Sequence, residues 1–178
     1  MNTILLVSGI TLTVLLLLII FLGFKKAKGA PIPLAVLILL VCFTTINVAV
    51  TYFIYPKEDI NAYKSLVWQP LAQEQIATLV SQGKTVFVDV SADWCNICKG
   101  NKDGVLHREA VVNLLKRDHM VLMLGDLTHS NAKIEAFLAN YNAFGVPFNV
   151  IYSPSNPNGI VLPRMLDYHQ VISLLDSN

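Results

Sequence analysis

Two cysteines, Cys95 and Cys98, are separated by two residues in the stretch VDVSADWCNICKG, residues 88–100. This spacing is compatible with metal ligation, with a structural cross-link and with thiol–disulfide exchange. A zinc site needs more ligands, and none of the four histidines pairs with another at the three-to-five spacing typical of such sites. A disulfide that closes so small a ring constrains little of the unfolded chain. Exchange is therefore the favoured interpretation, with the other two as alternatives.

The surroundings of the cysteine pair suggest how exchange would proceed. The Val- and Phe-rich segment 85–92 predicts a buried strand, and the cysteines are predicted to open a helix that continues to about Asp103. At a helix N-terminus, unpaired N–H groups and the helix dipole stabilise a thiolate at Cys95. Cys98, one turn further on, can then resolve the mixed disulfide that Cys95 forms with a substrate.

A carboxylate, Asp89, lies in the middle of the predicted strand and six residues before Cys95. Burial of a carboxylate is costly, so we expect a raised pKa and a functional reason for its presence. The functional interpretation is a proton acceptor beneath the cysteine pair that helps to deprotonate Cys98. The alternative is a position on a solvated strand edge.

The rest of the C-terminal part predicts helices and strands in alternation. Hydrophobic spacing and turn residues indicate the order α-β-α-β-α-β-β-α, which corresponds to a mixed sheet with helices on its faces. The predicted elements beyond those named above are helices at 71–82, 107–117, 131–142 and 167–175 and strands at 119–128, 146–152 and 159–163, with a turn at 153–159.

The N-terminal part is strongly apolar. The 178-residue chain is 54% hydrophobic, and its mean hydropathy is +0.55. Residues 2–24 and 29–56 contain no charged side chain, and each is long enough for the roughly 20 apolar residues that span a bilayer. We predict a transmembrane hairpin with spans at about 3–24 and 33–55. A cleaved signal peptide is the alternative for the first span. Against it, this segment lacks a basic start, and its apolar run is longer than that of a typical signal peptide.

Charge predicts the topology of this hairpin. Lys25, Lys26 and Lys28 crowd the short connection between the spans, and short basic loops stay in the cytoplasm. The residues after the second span would then lie outside, which in a bacterium is the periplasm.

The hairpin region occupies residues 1–56. Beyond it, we predict a linker at 57–69 and one globular domain at 70–178. About 120 residues suffice for one domain and are too few for two. All 12 acidic residues and 10 of the 13 basic residues lie beyond Pro56, without a basic stripe. A nucleic-acid partner is therefore disfavoured.

Several of these residues together resemble the thioredoxin superfamily. In particular, the chain is similar to the C-terminal periplasmic domain of the thiol:disulfide interchange protein DsbD family over about residues 68–175. The residues that carry the resemblance are Asp89, the motif Ala92-Asp93-Trp94-Cys95-Asn96-Ile97-Cys98-Lys99, the segment Gly125-Asp126-Leu127-Thr128, and Gly145-Val146-Pro147. The ADWCxxCK pattern is fairly specific for this branch, whereas CxxC or GVP alone is not.

The resemblance implies a thioredoxin fold in which Pro147 is cis and faces the cysteine pair. It also implies that Val146 offers its backbone to a substrate strand and that Trp94 shapes the rim beside Cys95. Members of the family take electrons from a membrane-embedded cysteine pair and pass them to periplasmic partners, among them disulfide isomerases and cytochrome c maturation thioredoxins. No metal or organic cofactor is implied, because the cysteine pair is the redox group.

The chain also departs from the family pattern. Full-length relatives carry an N-terminal immunoglobulin-like domain and a larger membrane bundle with a redox cysteine pair, whereas the apolar part here contains one cysteine, Cys42. We therefore expect a separate membrane redox protein as electron donor, and a packing role for Cys42 rather than a relay role. Phe148 and Lys102 stand where relatives often carry threonine and an acid.

These observations predict a membrane-anchored protein-disulfide reductase that faces the periplasm and acts on thiol or disulfide proteins. Two alternatives remain at this point. One is a non-catalytic thioredoxin-fold module tethered to the membrane. The other is a thiol oxidase running in the opposite direction, because the sequence does not fix the redox potential.

Overall fold

The structure is a computed structural model that describes residues 3–29, 31–54 and 57–177. The chain divides into two compact units, Met1–Pro56 and Lys57–Asn178.

The N-terminal unit consists of two apolar helices, α1 (Thr3–Ala27) and α2 (Leu34–Ile54). Large apolar side chains such as Leu17 and Leu39 are exposed along both, an arrangement that suits lipid better than water. By length and composition, Gly9–Ala27 is able to cross a membrane, whereas the apolar stretch Leu34–Val50 of the second helix is shorter. The expected end of the second span, residue 55, lies outside the described residues, so the second span stays a prediction.

The C-terminal unit is built on a five-stranded mixed sheet with the strand order β1-β3-β2-β4-β5. Strands β1 and β2 run parallel to β3, while β4 is antiparallel to β2 and β5 is antiparallel to β4. The strands are β1 (Trp68–Pro70), β2 (Thr85–Ser91), β3 (Met120–Asp126), β4 (Phe148–Ser153) and β5 (Asn156–Val161).

Helices cover both faces of this sheet, as the sequence predicted. Valines 86, 88 and 90 of β2 pack in one hydrophobic cluster with residues of α4 and α7, and Phe87 packs in a second cluster with residues of α6 and α8. This division follows from the alternation of side chains along a strand. The helices are α3 (Ile60–Lys64), α4 (Gln73–Ser81), α5 (Asn96–Asn101), α6 (Glu109–Leu115), α7 (Ala132–Ala139) and α8 (Tyr168–Asp176).

The central strand β2 positions the cysteines. All seven of its residues are buried, which explains its nearly continuous Val and Phe content. It ends at Ser91, and a three-residue loop leads from there to Cys95 and helix α5. After Asn101 the helix continues as a π-helical turn, Lys102–Leu106, where the sequence predicted a helix ending near Asp103.

The segment 57–69, predicted as a linker, is instead a folded part of the C-terminal unit. Asp59 caps helix α3 by accepting a hydrogen bond from the Ala62 N–H at 2.8 Å. Strand β1 adds to the sheet beside β3, and the Trp68 ring packs 6.1 Å from that of Phe87. The sequence hid this because a five-residue helix and a three-residue strand are too short to show periodicity.

A second difference concerns the turn predicted at 153–159. Strand β5 begins at Asn156, so most of that segment is an edge strand. Pro157 is tolerated there because an edge strand does not need every N–H for pairing. Gly159 has a φ of +81°, which favours glycine.

Candidate active site at the cysteine pair

Cys95 and Cys98 are joined by a disulfide at the start of helix α5. Cys95 is the N-cap residue, and its Sγ accepts a hydrogen bond from the Cys98 N–H at 3.1 Å. Both cysteines are buried, with 5% and 3% of their surface exposed. The predicted position at a helix N-terminus is confirmed, and in the reduced protein the same N–H group would face a Cys95 thiolate.

The loop before the cysteines is tied to the segment that follows β3. The Asp93 N–H donates to Thr128 Oγ1 at 3.1 Å, and Trp94 Nε1 donates to the Thr128 carbonyl oxygen at 3.3 Å. The Thr128 N–H donates in turn to Asp126 Oδ1, and hydrogen bonds from Thr128 hold the pKa of Asp126 below its ordinary value. These contacts connect the segment 125–128 to the loop that precedes Cys95. The Trp94 side chain itself is largely exposed.

The peptide bond between Val146 and Pro147 is cis, as the resemblance implied. Val146 is buried in the same hydrophobic cluster as Cys95 and Cys98, so the proline segment and the cysteine pair lie together. The carbonyl oxygen of Val146 is not free, because Arg164 donates to it from Nη2 at 2.8 Å.

Asn101 extends this contact, and sequence reasoning missed both it and Arg164. Asn101 Nδ2 donates to the Arg164 carbonyl oxygen at 2.8 Å, and Asn101 Oδ1 accepts from the Leu166 N–H at 3.0 Å. The end of helix α5 therefore holds the loop that reaches the cis proline. No local sequence pattern predicts these contacts, because their partners are more than 60 residues apart in sequence.

Asp89 is buried on the central strand, and only 3% of its surface is exposed. The alternative of a solvated strand edge is wrong, because β2 has neighbours on both sides. Asn149 Nδ2 donates to Asp89 Oδ1 at 2.9 Å, and Lys102 Nζ lies 3.9 Å from Oδ2. Burial raises the pKa of Asp89, while the charge of Lys102 and the hydrogen bond from Asn149 oppose that rise. The expected direction of the shift is confirmed.

Large apolar side chains are exposed on the segments that carry the cysteines and the cis proline. Trp94 and Ile97 belong to the cysteine motif, and Phe144, at 96% exposure, comes shortly before the proline. Met165 is exposed on the loop that Asn101 holds.

Cys42 is a free, exposed cysteine on α2, and its role stays a prediction. Within the described ranges, no group of three His, Cys, Asp or Glu side chains is arranged to hold a metal ion. The expectation that the cysteine pair needs no metal or cofactor likewise stays a prediction.

Residues 67–154 match the family model described as thioredoxin-like. The thiol:disulfide interchange protein DsbD of Yersinia pestis is 30% identical over 118 residues, which cover 65% of this chain and 19% of that protein. The DsbD of Actinobacillus pleuropneumoniae is 32% identical over 110 residues, covering 62% of this chain and 17% of that protein.

The crystal structure of the reduced Neisseria meningitidis DsbD C-terminal domain is similar at 22% identity with a TM-score of 0.46, covering 60% of this chain and 92% of that one. The chain spans about one fifth of the length of the curated relatives that it matches. The C-terminal unit of the chain is a thioredoxin-like domain with similarity to the DsbD proteins.

Proposed function

We propose that this chain is a membrane-anchored thiol–disulfide oxidoreductase that works as a reductase of periplasmic proteins. The observation that carries the proposal is the Cys95–Cys98 disulfide at a helix N-terminus, in one cluster with the residue before a cis proline. At a helix N-terminus, the unpaired N–H groups and the helix dipole favour the thiolate that exchange requires. The similarity to DsbD proteins supports the same chemistry.

In the reducing direction, the reaction starts from the dithiol form. The Cys95 thiolate attacks a sulfur of the substrate disulfide, that S–S bond breaks, and the other substrate sulfur leaves as a thiolate and takes up a proton. Cys98 then gives its proton to Asp89 and attacks Cys95 Sγ, which breaks the mixed disulfide and releases the second substrate thiolate, later protonated. The substrate gains two electrons and two protons, and Cys95–Cys98 becomes the disulfide.

Trp94, Val146 and Pro147 are proposed to contact the substrate. Their support is position: Trp94 directly precedes Cys95 and is exposed, and Val146 shares the buried cluster of the cysteines. The exposed apolar groups Ile97, Phe144 and Met165 favour a protein substrate over a small disulfide.

The proposed partners lie on both sides of this reaction. Thiol or disulfide proteins of the periplasm, of the disulfide isomerase or cytochrome c maturation kind, would accept electrons. A separate membrane redox protein with a dithiol is the proposed electron donor, which would reduce Cys95–Cys98 again.

The proposed localisation is the inner membrane of a bacterium, with two spans and the C-terminal unit in the periplasm. The helix Gly9–Ala27 supports a first span, and the lysines at or just after its C-terminal end, Lys25, Lys26 and Lys28, support a cytoplasmic connection. Fusion of a reporter after the last residue tests the orientation, since alkaline phosphatase is active only outside the cytoplasm.

The exchange activity is tested with the full chain in detergent, measured as insulin reduction supported by dithiothreitol. We expect Cys95→Ser to abolish the activity, whereas Cys42→Ser leaves it intact. Cys98→Ala should trap partner proteins in cells as mixed disulfides on Cys95. Failure of both assays would favour a non-catalytic module. A potential of the Cys95/Cys98 couple near about −120 mV, rather than about −270 mV, would identify an oxidase.

A further inference from the structure

The buried carboxylate of Asp89 has one oxygen that is hydrogen-bonded and one that is not. Oδ1 accepts the hydrogen bond from Asn149, whereas Oδ2 accepts none from the described residues. The ammonium nitrogen of Lys102 lies 3.9 Å from Oδ2, which is an ion-pair distance and too long for a hydrogen bond. Because an unpaired buried charge is costly, the placement of this ammonium group decides whether Asp89 can be ionised.

Lys102 is placed on the same helical segment as the cysteines. It follows Cys98 by four residues, and its N–H donates to the Cys98 carbonyl oxygen. Residues four apart on a helix lie on the same face. Lys102 also begins the π-helical turn, a feature that is frequent at functional sites.

The side chain of Lys102 reaches from solvent to the interior. It is 30% exposed, and Nζ donates to the buried hydroxyl of Ser91 at 3.3 Å. Ser91 and Asp89 lie two residues apart on β2, so their side chains point to the same face of the sheet. The hydrogen bond to Ser91 therefore fixes the ammonium group over the face that carries Asp89.

We propose that Lys102 is a positioning residue for disulfide exchange, whose ammonium group controls how readily Asp89 takes the proton of Cys98. This inference rests on the proposed function. When the Cys98 thiol transfers its proton, Asp89 becomes neutral and its ion pair with Lys102 is lost. The Cys98 thiolate then attacks Cys95 Sγ, the S–S bond between Cys95 and the substrate breaks, and the substrate sulfur leaves as a thiolate. The proton then passes from Asp89 to water at the partly exposed end of Lys102, and the ion pair forms again.

Other titratable groups lie around Asp89 and Lys102, and their pKa values respond to the charges of these two residues. Tyr63 of α3 faces Asp89, whose charge adds to burial in raising the pKa of the Tyr63 hydroxyl. On the solvent side, hydrogen bonds from Thr128 lower the pKa of Asp126 most, and the charge of Lys102 adds to that effect. Burial lowers the pKa of His107 most, and the charge of Lys102 acts in the same direction. Neither burial nor the hydroxyl of Tyr63 stabilises the ionised carboxylate of Asp89 with a positive charge, whereas the ammonium group of Lys102 does.

The test follows the Asp89 carboxyl by carbon NMR across pH, in the oxidised full chain in detergent. We expect Lys102→Met to raise the proton affinity of Asp89 about tenfold, which is one pKa unit. Lys102→Arg should keep it close to that of the wild type. The matched control is Lys99→Met, which removes the same charge from an exposed position of the same helix and should leave the Asp89 titration in place.

The same variants are then compared for the pH dependence of exchange in the reduced protein. We expect the Lys102→Met profile to shift to higher pH by the same factor, and to show no shift when Asp89 is already Asn. Equal shifts of the Asp89 titration in Lys102→Met and Lys99→Met would overturn the proposal, as would a Lys102→Met effect that persists in the Asp89→Asn background. A wild type that reduces no disulfide would instead contradict the proposed function, while the NMR titration would still decide the coupling.

Discussion

The guanidinium of Arg164 donates from Nη2 to the carbonyl oxygen of Val146, the residue before the cis proline, at 2.8 Å. The resemblance implied that the Val146 backbone is offered to a substrate strand, yet one lone pair of this carbonyl is already engaged. Arg164 is itself held by Asn101 at the end of the cysteine helix. Hydrogen bonds therefore connect the cysteine helix α5 to the segment that carries the cis proline.

Replacement of Arg164 by alanine should loosen this connection. We expect a loss of about 0.5–1.5 kcal/mol in the free energy of unfolding, the usual net contribution of a hydrogen bond, because the Arg164 side chain is itself exposed to solvent. The KM for a protein substrate should rise several-fold, while kcat changes less, because the cysteines are untouched. Unfolding and insulin-reduction kinetics measure the two effects.

Arg117→Ala is the control for Arg164→Ala. Arg117 pairs with Asp176 at 2.6 Å, but both side chains are well exposed, and such surface pairs contribute about 0–1 kcal/mol. Identical stability and KM in the two variants would refute the connecting role. A fall in KM for Arg164→Ala would mean that Arg164 competes with the substrate for the carbonyl of Val146.

The parts of the structure that the sequence predicted are those set by local pattern. The Val- and Phe-rich run of β2 and the position of Cys95 at a helix start follow from residues close in sequence. The burial of Asp89 followed from its apolar neighbours. The resemblance supplied the cis bond at Pro147, which sequence spacing alone does not.

The parts that the sequence did not predict depend on distant contacts. Arg164 and Asn101 have no local signature, because the groups that they bind come from other elements. The segment 57–69 looked like a linker because its helix and strand are short, and tertiary contacts stabilise both. The sequence marks Lys102 only as a departure from the family pattern, because its distance to Asp89 depends on how the helical segment after the cysteines packs against β2.

Because segment 57–69 is folded, we predict that the C-terminal unit keeps its stability when the chain is truncated before Lys57 and loses stability when it is truncated before Leu71. A chain that begins at Lys57 should fold alone, whereas one that begins at Leu71 lacks strand β1 and exposes the Phe87 face that Trp68 covers. The buried guanidinium of Arg108 also loses its ion pair with Glu58, at 2.9 Å. Loss of a partner for a buried charge is strongly destabilising.

Denaturant unfolding of the two truncated chains measures this difference. We expect the chain from Leu71 to unfold at a lower denaturant concentration, or to be insoluble. Glu58→Ala in the longer chain is a milder version of the same change, and it should cost about 1–3 kcal/mol because Glu58 itself is partly exposed. Equal stability of the two chains would show that 57–69 is a linker after all.

Thr128→Val should loosen the loop that precedes the cysteines. The substitution removes the hydroxyl that accepts from the Asp93 N–H and that lowers the pKa of Asp126. We therefore expect faster hydrogen exchange at the Asp93 amide and a higher pKa of Asp126, both measured by NMR. Thr128→Ser keeps the hydroxyl and should behave like the wild type. An unchanged Asp93 amide in Thr128→Val would contradict this role.

Asp89→Asn should make stability less dependent on pH. Burial raises the pKa of Asp89 above its ordinary value of 3.8, so between these two values the folded protein holds a proton that the unfolded chain has released. The stability that Asp89 contributes is thus present below pH 3.8 and is lost as the pH rises through the folded value. Each unit of the rise corresponds to about 1.4 kcal/mol.

The amide of Asn at this position can still accept from Asn149, so the variant removes the charge and keeps the hydrogen bond. We expect the variant to gain stability over the wild type as the pH rises above about 4, and the gain to level off once Asp89 is ionised in the folded protein. Both tryptophans, Trp68 and Trp94, lie in the C-terminal unit, so their fluorescence follows its unfolding directly. A stability difference that is constant from acid to neutral pH would mean that the pKa of Asp89 is the same in the folded protein and in the unfolded chain, because Lys102 and Asn149 fully compensate its burial.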